Sequence, residues 1–348
     1  MRALIKRDPA EGFEFDENCP IDEPVGDECQ IKVTAVSVCG SDINLWKWND
    51  VARTIASLPF IPGHEAVGIV VKCGPEATHK IRQRVAVENH FYCENCCMCD
   101  AGRGDICNKM KQYGHGKGTT QGGCSELSNV SSKYLYPINS SITDEQACLI
   151  EPMGVAHNIL ERIDIVGQDL LVIGCGPVGL LAIACARGMG AKKIYAADVI
   201  ADKLELAEKM GADRVIDVTK EDLHETIMKA TNGEGIPRIC EISGHAPTLS
   251  KCLKYMRKGG KLGLVGLPKS AVTFEDPLPD LIFKSLEIHS VHGRKIFHTW
   301  EECEKLIESG KVQPEMTVSH RVPLSDFKTA YDALLSGKAC KIIMDPQN

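Results

Sequence analysis

The rhythm of apolar and polar positions along this chain changes twice. Up to about residue 150, short apolar runs are punctuated by Gly, Pro, Asn and Asp: QIKVTAVSVCG, EAVGIVVKCG, QRVAVEN and SELSNVSS. Runs of this length between turn formers predict β-strands. From about Val155, apolar runs alternate with segments of helical period. LLVIG, KIYAAD, RVIDV, RICEIS, KLGLVG and LEIHSV predict six strands, with helices such as ADKLELAEKMG between them. Strands joined by helical crossovers build a parallel, doubly wound sheet. After about residue 292 the mixed texture returns, with a helix over TWEECEKLIESG and a tail, HRVPLSDFKTAYDALLSGKACKIIM, expected to rejoin the first domain. The fold class is α/β: a β-rich domain over 1–153 and 293–348, and a doubly wound domain over 154–292.

Composition narrows the functional classes. With 348 residues, 43% hydrophobic and 25% charged, the chain is long enough for two cores. A net charge of -7 and the absence of long like-charge runs provide no footprint for nucleic acid. The longest apolar stretch, residues 170–186, is broken by Gly and Pro where a phosphate-binding turn needs them, so it reads as strand, turn and helix, with no membrane span. The opening MRALIKRDPAEGFEF lacks the apolar core of a secretory signal, and a cytoplasmic location is expected.

The strongest chemical signal is Cys93, Cys96, Cys99 and Cys107, spaced C-x2-C-x2-C-x7-C within a lobe over about 90–110. Thiolates on tight loops converge on one tetrahedral metal, and four of them close its sphere, which is the pattern of structural zinc. Cys97 lies inside the same loop and competes with Cys96 as a ligand by position. The other 12 of the 17 cysteines, Cys39 aside, follow no disulfide spacing, which fits a reducing compartment.

The second signal is Gly174-x-Gly176-x-x-Gly179, with Pro177 and Val178 inside it, directly after the strand LLVI and opening a helix. The three glycines permit a tight turn, backbone approach to a pyrophosphate and close helix-strand packing, with the phosphates at the positive helix N-terminus. Asp198 ends the next strand, where a carboxylate binds both ribose hydroxyls and repels a 2′-phosphate. No arginine follows it, so NAD is favoured over NADP. Lys203, one helical turn on, reads equally as a ribose partner or an exposed lysine.

The third constellation is Cys39-Gly40-Ser41-Asp42, Gly63-His64-Glu65 and Glu151-Pro152. One thiolate, one imidazole and carboxylates form an incomplete zinc sphere that leaves a position for water or a substrate oxygen. Singly, each residue reads as ordinary core. Together, VCGSD, PGHEAVGIV, CENCCMCDAGRGDIC, QGGCSEL, IEPMGVAHNIL and VIGCGPVGLLA resemble the zinc-dependent medium-chain alcohol dehydrogenase superfamily over essentially the whole chain. The C-terminal VHGRKIFHTWEECEKLIESGKVQP and the segment INLWKWND look like the branch of L-threonine 3-dehydrogenases, and the IEP segment is shared with sorbitol-type polyol dehydrogenases.

The resemblance implies a GroES-like catalytic domain, a Rossmann cofactor domain, NAD, and two zinc ions per chain. It implies Cys39, His64 and Glu65 as catalytic zinc ligands, Glu151 as a fourth, exchangeable ligand or a partner of the zinc-bound water, and Ser41 as the group that passes the substrate proton on. Relatives carry a relay histidine three residues after that serine, where this chain has Asn44; an amide cannot titrate, and His90 is a candidate replacement. Arg294 is a candidate anchor for a cofactor phosphate or a substrate carboxylate. Glu88, Trp46 and Trp48 read more plainly as structural. The expected activity is oxidation of a secondary alcohol, with a threonine-like amino alcohol first and a polyol or butanediol second. A zinc- and dinucleotide-binding relative without catalysis is the alternative of another class. A homotetramer or homodimer is expected, paired through an edge strand such as LEIHSVHG.

Overall fold

The computed structural model describes residues 1–337 and 339–348. It divides into two compact units, Met1–Glu151 with Glu315–Asn348, and Pro152–Pro314.

In the first unit, the long strand Glu28–Val38 is central. It pairs antiparallel with Glu65–Cys73 on one side and with Lys341–Asp345 on the other, and its first half also pairs with Leu127–Ser131. Arg84–Val87 and then Leu135–Pro137 extend the sheet beyond Glu65–Cys73, and Val318–Pro323 flanks Lys341–Asp345. Alternation in the strands buries Ile31, Val33, Val36, Val70, Val85, Val130, Ile342 and Met344 in one core. The C-terminal tail thus belongs to this sheet: Ile342, Ile343 and Met344 stand opposite Val38, Ser37 and Val36.

The second unit holds six parallel strands in the order Arg214–Asp217, Lys193–Asp198, Asp169–Ile173, Ile236–Glu241, Met256–Leu264, Glu287–Ser290. The six apolar runs named above are these strands. Consecutive Leu170, Leu171 and Val172 are all buried, the mark of a strand covered on both faces. Strand order reverses between Asp169–Ile173 and Ile236–Glu241, the switch point at which such sheets bind ligands. The stretch at 170–186 is strand, turn and the helix Pro177–Met189, and among the described residues no helix is long and apolar enough to cross a membrane.

One boundary is corrected. The chain returns to the first unit at Glu315, not at about 293. The helix His298–Glu308 has a strongly one-sided apolar face, with Trp300, Cys303 and Ile307 buried, and Leu306 and Val312 lie against Gly188 of the helix Pro177–Met189. An amphipathic face shows that a helix is packed, without naming what it packs on.

Gly179 shows how tightly the second unit is built: a Cβ there would stand 1.9 Å from the carbonyl oxygen of Gly174. Gly179→Val is expected to lower stability by about 1–3 kcal/mol through overpacking, measured by urea denaturation; an unchanged midpoint would contradict the close approach.

Candidate active site

Cys39 follows the last residue of the central strand and caps the helix Gly40–Lys47. Its backbone N–H donates to Asp42 Oδ2 at 2.8 Å, and its side chain accepts from the backbone of the same turn. The C-G-S-D sequence is therefore a capping box that fixes the thiol at a strand end. Gly63-His64 leads into the strand Glu65–Cys73, whose first residue stands opposite Ser37. These local geometries bring one ligand atom each from Cys39, His64 and Glu65 within 4.8 Å of one another. His64 is buried, and its Nδ1 lies 3.7 Å from Asp42 Oδ1.

Glu65 has two differently used oxygens. Oε2 accepts from Ser37 Oγ and from Lys341 Nζ, and Lys341 Nζ also donates to Val38 O at 3.2 Å. Oε1 is buried and takes no hydrogen bond within the protein. Burial pushes the Glu65 carboxyl up, and Lys341 pulls against that push. A buried carboxylate oxygen left open beside a thiol and an imidazole is a donor set that fits zinc, soft enough for sulfur and nitrogen and still content with oxygen.

In the cysteine lobe, Cys93 Sγ and Cys99 Sγ are 4.0 Å apart, Cys96 and Cys99 3.6 Å, and Cys96 and Cys107 3.8 Å. Four sulfurs each ~2.3 Å from one tetrahedral zinc stand ~3.8 Å from one another. Backbone N–H groups of Cys93 and Lys109 donate to Cys107 Sγ, and that of Asn95 to Cys93 Sγ, each at 3.3 Å. Cys97 stays outside the group, exposed, with its sulfur accepting from Asn108 Nδ2 at 3.4 Å.

In the second unit, Gly176 caps the helix Pro177–Met189, and Pro177 occupies its first turn. Asp198 Oδ2 accepts from Cys175 N–H of the glycine turn at 2.7 Å, and Oδ1 from Val199 N–H at 2.7 Å and Ile200 N–H at 3.0 Å. The carboxylate is thus fixed to the phosphate-binding turn while keeping lone pairs for a ligand. Lys203 is half-buried in the next helix, and Val199 is exposed.

The chain is similar to known proteins over nearly its whole length. A family model described as an alcohol dehydrogenase GroES-like domain matches residues 26–140, and one described as a zinc-binding dehydrogenase matches residues 177–309. An L-threonine 3-dehydrogenase of Bacillus velezensis is 36% identical over 348 residues, covering 99% of both chains. The L-threonine 3-dehydrogenase of Chromobacterium violaceum is 34% identical, again with 99% of both chains covered. The chain belongs to the zinc-dependent alcohol dehydrogenase family. Its structure is similar to that of the alcohol dehydrogenase TADH from Thermus sp. ATN1, with a TM-score of 0.90 and 29% identity over 99% of both chains. It is an oxidoreductase of the threonine dehydrogenase branch, a zinc-binding enzyme whose chemistry takes a nicotinamide cofactor.

The remaining candidates take these places in the dehydrogenase. Ser41 Oγ is buried and takes no hydrogen bond within the protein. Glu151, on the helix Asp144–Arg162, is 9% exposed and lies outside the three-residue group; its Oε1 accepts from Asn89 Nδ2 at 3.1 Å. His90 is buried, and its backbone N–H donates to Glu88 Oε1 at 2.8 Å. Asn44 has a structural use: its Oδ1 accepts at 2.8 Å from Asn49, the residue that caps the helix Asp50–Ile55. Trp46 stacks on Tyr331, ring centroids 4.6 Å apart, and Trp48 joins a core with Leu45, Ala52 and Phe60. Arg294 is fully buried in the second unit, its guanidinium 5.0 Å from the Trp300 ring centroid.

Sequence reasoning missed Ser37, Lys341, Asn89 and His115, and gave Asp42 no role of its own. Asp42 had a signal, since it closes the C-G-S-D capping box. Lys341 had none, being 276 residues from Glu65. Lys341→Met is expected to destabilise the metal-free enzyme by about 3–5 kcal/mol, because it leaves Glu65 charged and unpaired. Adding Glu65→Gln should recover part of that loss in urea denaturation; equal stability of Lys341→Met and wild type would rule the pairing out as a support of the fold.

Proposed function

We propose that this dehydrogenase oxidises the secondary hydroxyl of a threonine-like amino alcohol to the amino ketone, with NAD as hydride acceptor and two zinc ions per chain. Cys39, His64 and Glu65 would hold the catalytic ion, and Cys93, Cys96, Cys99 and Cys107 the structural one. The observation that carries this reading is the buried, unpartnered Oε1 of Glu65 beside the Cys39 thiol and the His64 imidazole. Full-length similarity to L-threonine 3-dehydrogenases supports the substrate class.

Zinc bound at this set supplies a Lewis acid for the substrate hydroxyl, and NAD supplies the hydride acceptor. The rest of the work falls to side chains. Asp42 stands on the Nδ1 side of His64 and leaves the other ring nitrogen for the metal. Lys341 and Ser37 hold one oxygen of Glu65 and so aim the other. Asn89 orients the Glu151 carboxylate beside the site. The Ser41 hydroxyl, free of internal partners, would accept the proton of the substrate hydroxyl while passing its own on through the cofactor ribose towards solvent. Asp198, fixed by three backbone N–H groups, accepts from the ribose hydroxyls and repels a 2′-phosphate.

A second reading, a polyol or butanediol substrate, is favoured by Asn44: its amide cannot relay a proton and is already engaged by Asn49. Homotetramer or homodimer assembly is supported by the terminal strand Glu287–Ser290 and by exposed Ile288, with Leu278, Ile282 and Phe283 exposed just before it in the chain. The 12 cysteines outside the two proposed zinc sites form no disulfide among the described residues, which supports a cytosolic location.

The test is NADH formation by zinc-loaded enzyme against L-threonine, related amino alcohols, sorbitol, ribitol and butanediol. Oxidation of L-threonine is expected, with NADP at least about tenfold less efficient than NAD and with Asp198→Ala narrowing that gap. Activity confined to polyols or butanediol would establish the second reading. No turnover of any alcohol at two zinc ions per chain would leave a non-catalytic relative.

A further inference from the structure

His115 lies in a short turn that carries no motif. Its ring centroid is 4.8 Å from that of His64, the planes are inclined by 38°, and both residues are buried.

The turn is built to hold this ring in place. His115 Nδ1 donates to Tyr113 O at 3.0 Å, and its carbonyl accepts from Ser57 N–H at 3.1 Å. Tyr113 is itself buried, and its hydroxyl donates to Ser128 Oγ at 3.0 Å. Gly114 is pressed so closely on the zinc-ligand loop that a Cβ there would stand 2.6 Å from Gly63 O and 3.1 Å from His64 Cβ. The turn and the loop carrying His64 are therefore packed as one piece.

His64 needs such support. A metal-ligating histidine usually has its ring orientation fixed by a hydrogen bond from its other nitrogen. Here the 3.7 Å between His64 Nδ1 and Asp42 Oδ1 exceeds a hydrogen bond, and neither atom has another partner. Asp42 supplies charge on the Nδ1 side, and the tilted His115 ring packs against the imidazole.

We infer that His115 is a positioning residue for the catalytic zinc site, its tilted ring packing against the His64 ring and holding it in the orientation from which it can ligate the metal. This rests on the reading that Cys39, His64 and Glu65 bind zinc. Because the role is packing, an aromatic ring without nitrogen should fill it, which a hydrogen-bonding or proton-transfer role would not allow.

The experiment compares wild type, His115→Ala and His115→Phe as zinc-loaded full chains titrated with a chromogenic chelator, the four-cysteine zinc serving as internal control. His115→Ala is expected to lose the catalytic zinc about tenfold more readily than wild type, the size typical of an outer-shell partner, and His115→Phe to stay within about threefold of wild type. Cobalt substitution gives a second readout: the visible bands of the Cys39, His64, Glu65 site should shift in His115→Ala and not in His115→Phe. Retention of zinc by His115→Ala at the wild-type level would overturn the inference, and so would equal loss by both variants. Should His115→Ala also lose the four-cysteine zinc and so prove misfolded, His115→Phe decides alone, native retention supporting and loss overturning. Wild type holding only the four-cysteine zinc would overturn the underlying zinc reading instead.

Discussion

A buried ion pair, Glu65 with Lys341, is the constraint around which the first unit is organised. Neither residue is more than 2% exposed, and both charges are far from water. Burying such a pair is expensive unless the remaining polar atoms are satisfied. Lys341 meets that demand with Val38 O, and Glu65 Oε2 with Ser37 Oγ. The one atom left over, Glu65 Oε1, is the one that lies with Cys39 and His64. The pair also explains why the tail must come back into the sheet. Only the strand Lys341–Asp345, pairing with Val36–Val38, can carry the ammonium to the carboxylate. The same contact closes the fold and leaves the site one oxygen short of satisfaction, which a cation would supply.

The legible parts of this molecule were those written in local spacing. The cysteine lobe is encoded within fifteen residues, and its sulfurs stand close to the separation a tetrahedral zinc imposes. The glycine turn and Asp198 are encoded within one strand-helix-strand unit and meet through the Cys175 N–H. The six apolar runs of the second unit are six parallel strands, because continuous apolar runs are what a doubly covered sheet requires.

The illegible parts depend on pairings between distant segments. Lys341 reads as one lysine among many until the tail is seen beside Ser37 and Val38. Asn89 sits between two residues, Glu88 and His90, that invite more attention, and its side-chain bond to Glu151 joins segments far apart in the chain. The return point of the chain was misplaced by about twenty residues because the apolar stripe of the helix His298–Glu308 fits any apolar surface. Asn44 looked like a missing relay, yet its side chain ties the cap of one helix to the body of another. That structural use is invisible without the partner Asn49.

The proposed catalytic zinc site sets Cys39, His64 and Glu65 around the metal, with Lys341 on the far side of Glu65. Anomalous diffraction at the zinc edge from crystals of the zinc-loaded enzyme tests it. Two peaks per chain are predicted, one among Cys93, Cys96, Cys99 and Cys107 and one bounded by Cys39 Sγ, His64 and Glu65 Oε1, with Lys341 still on Oε2. A single peak in the cysteine lobe, from enzyme that turns over alcohol, would contradict the account.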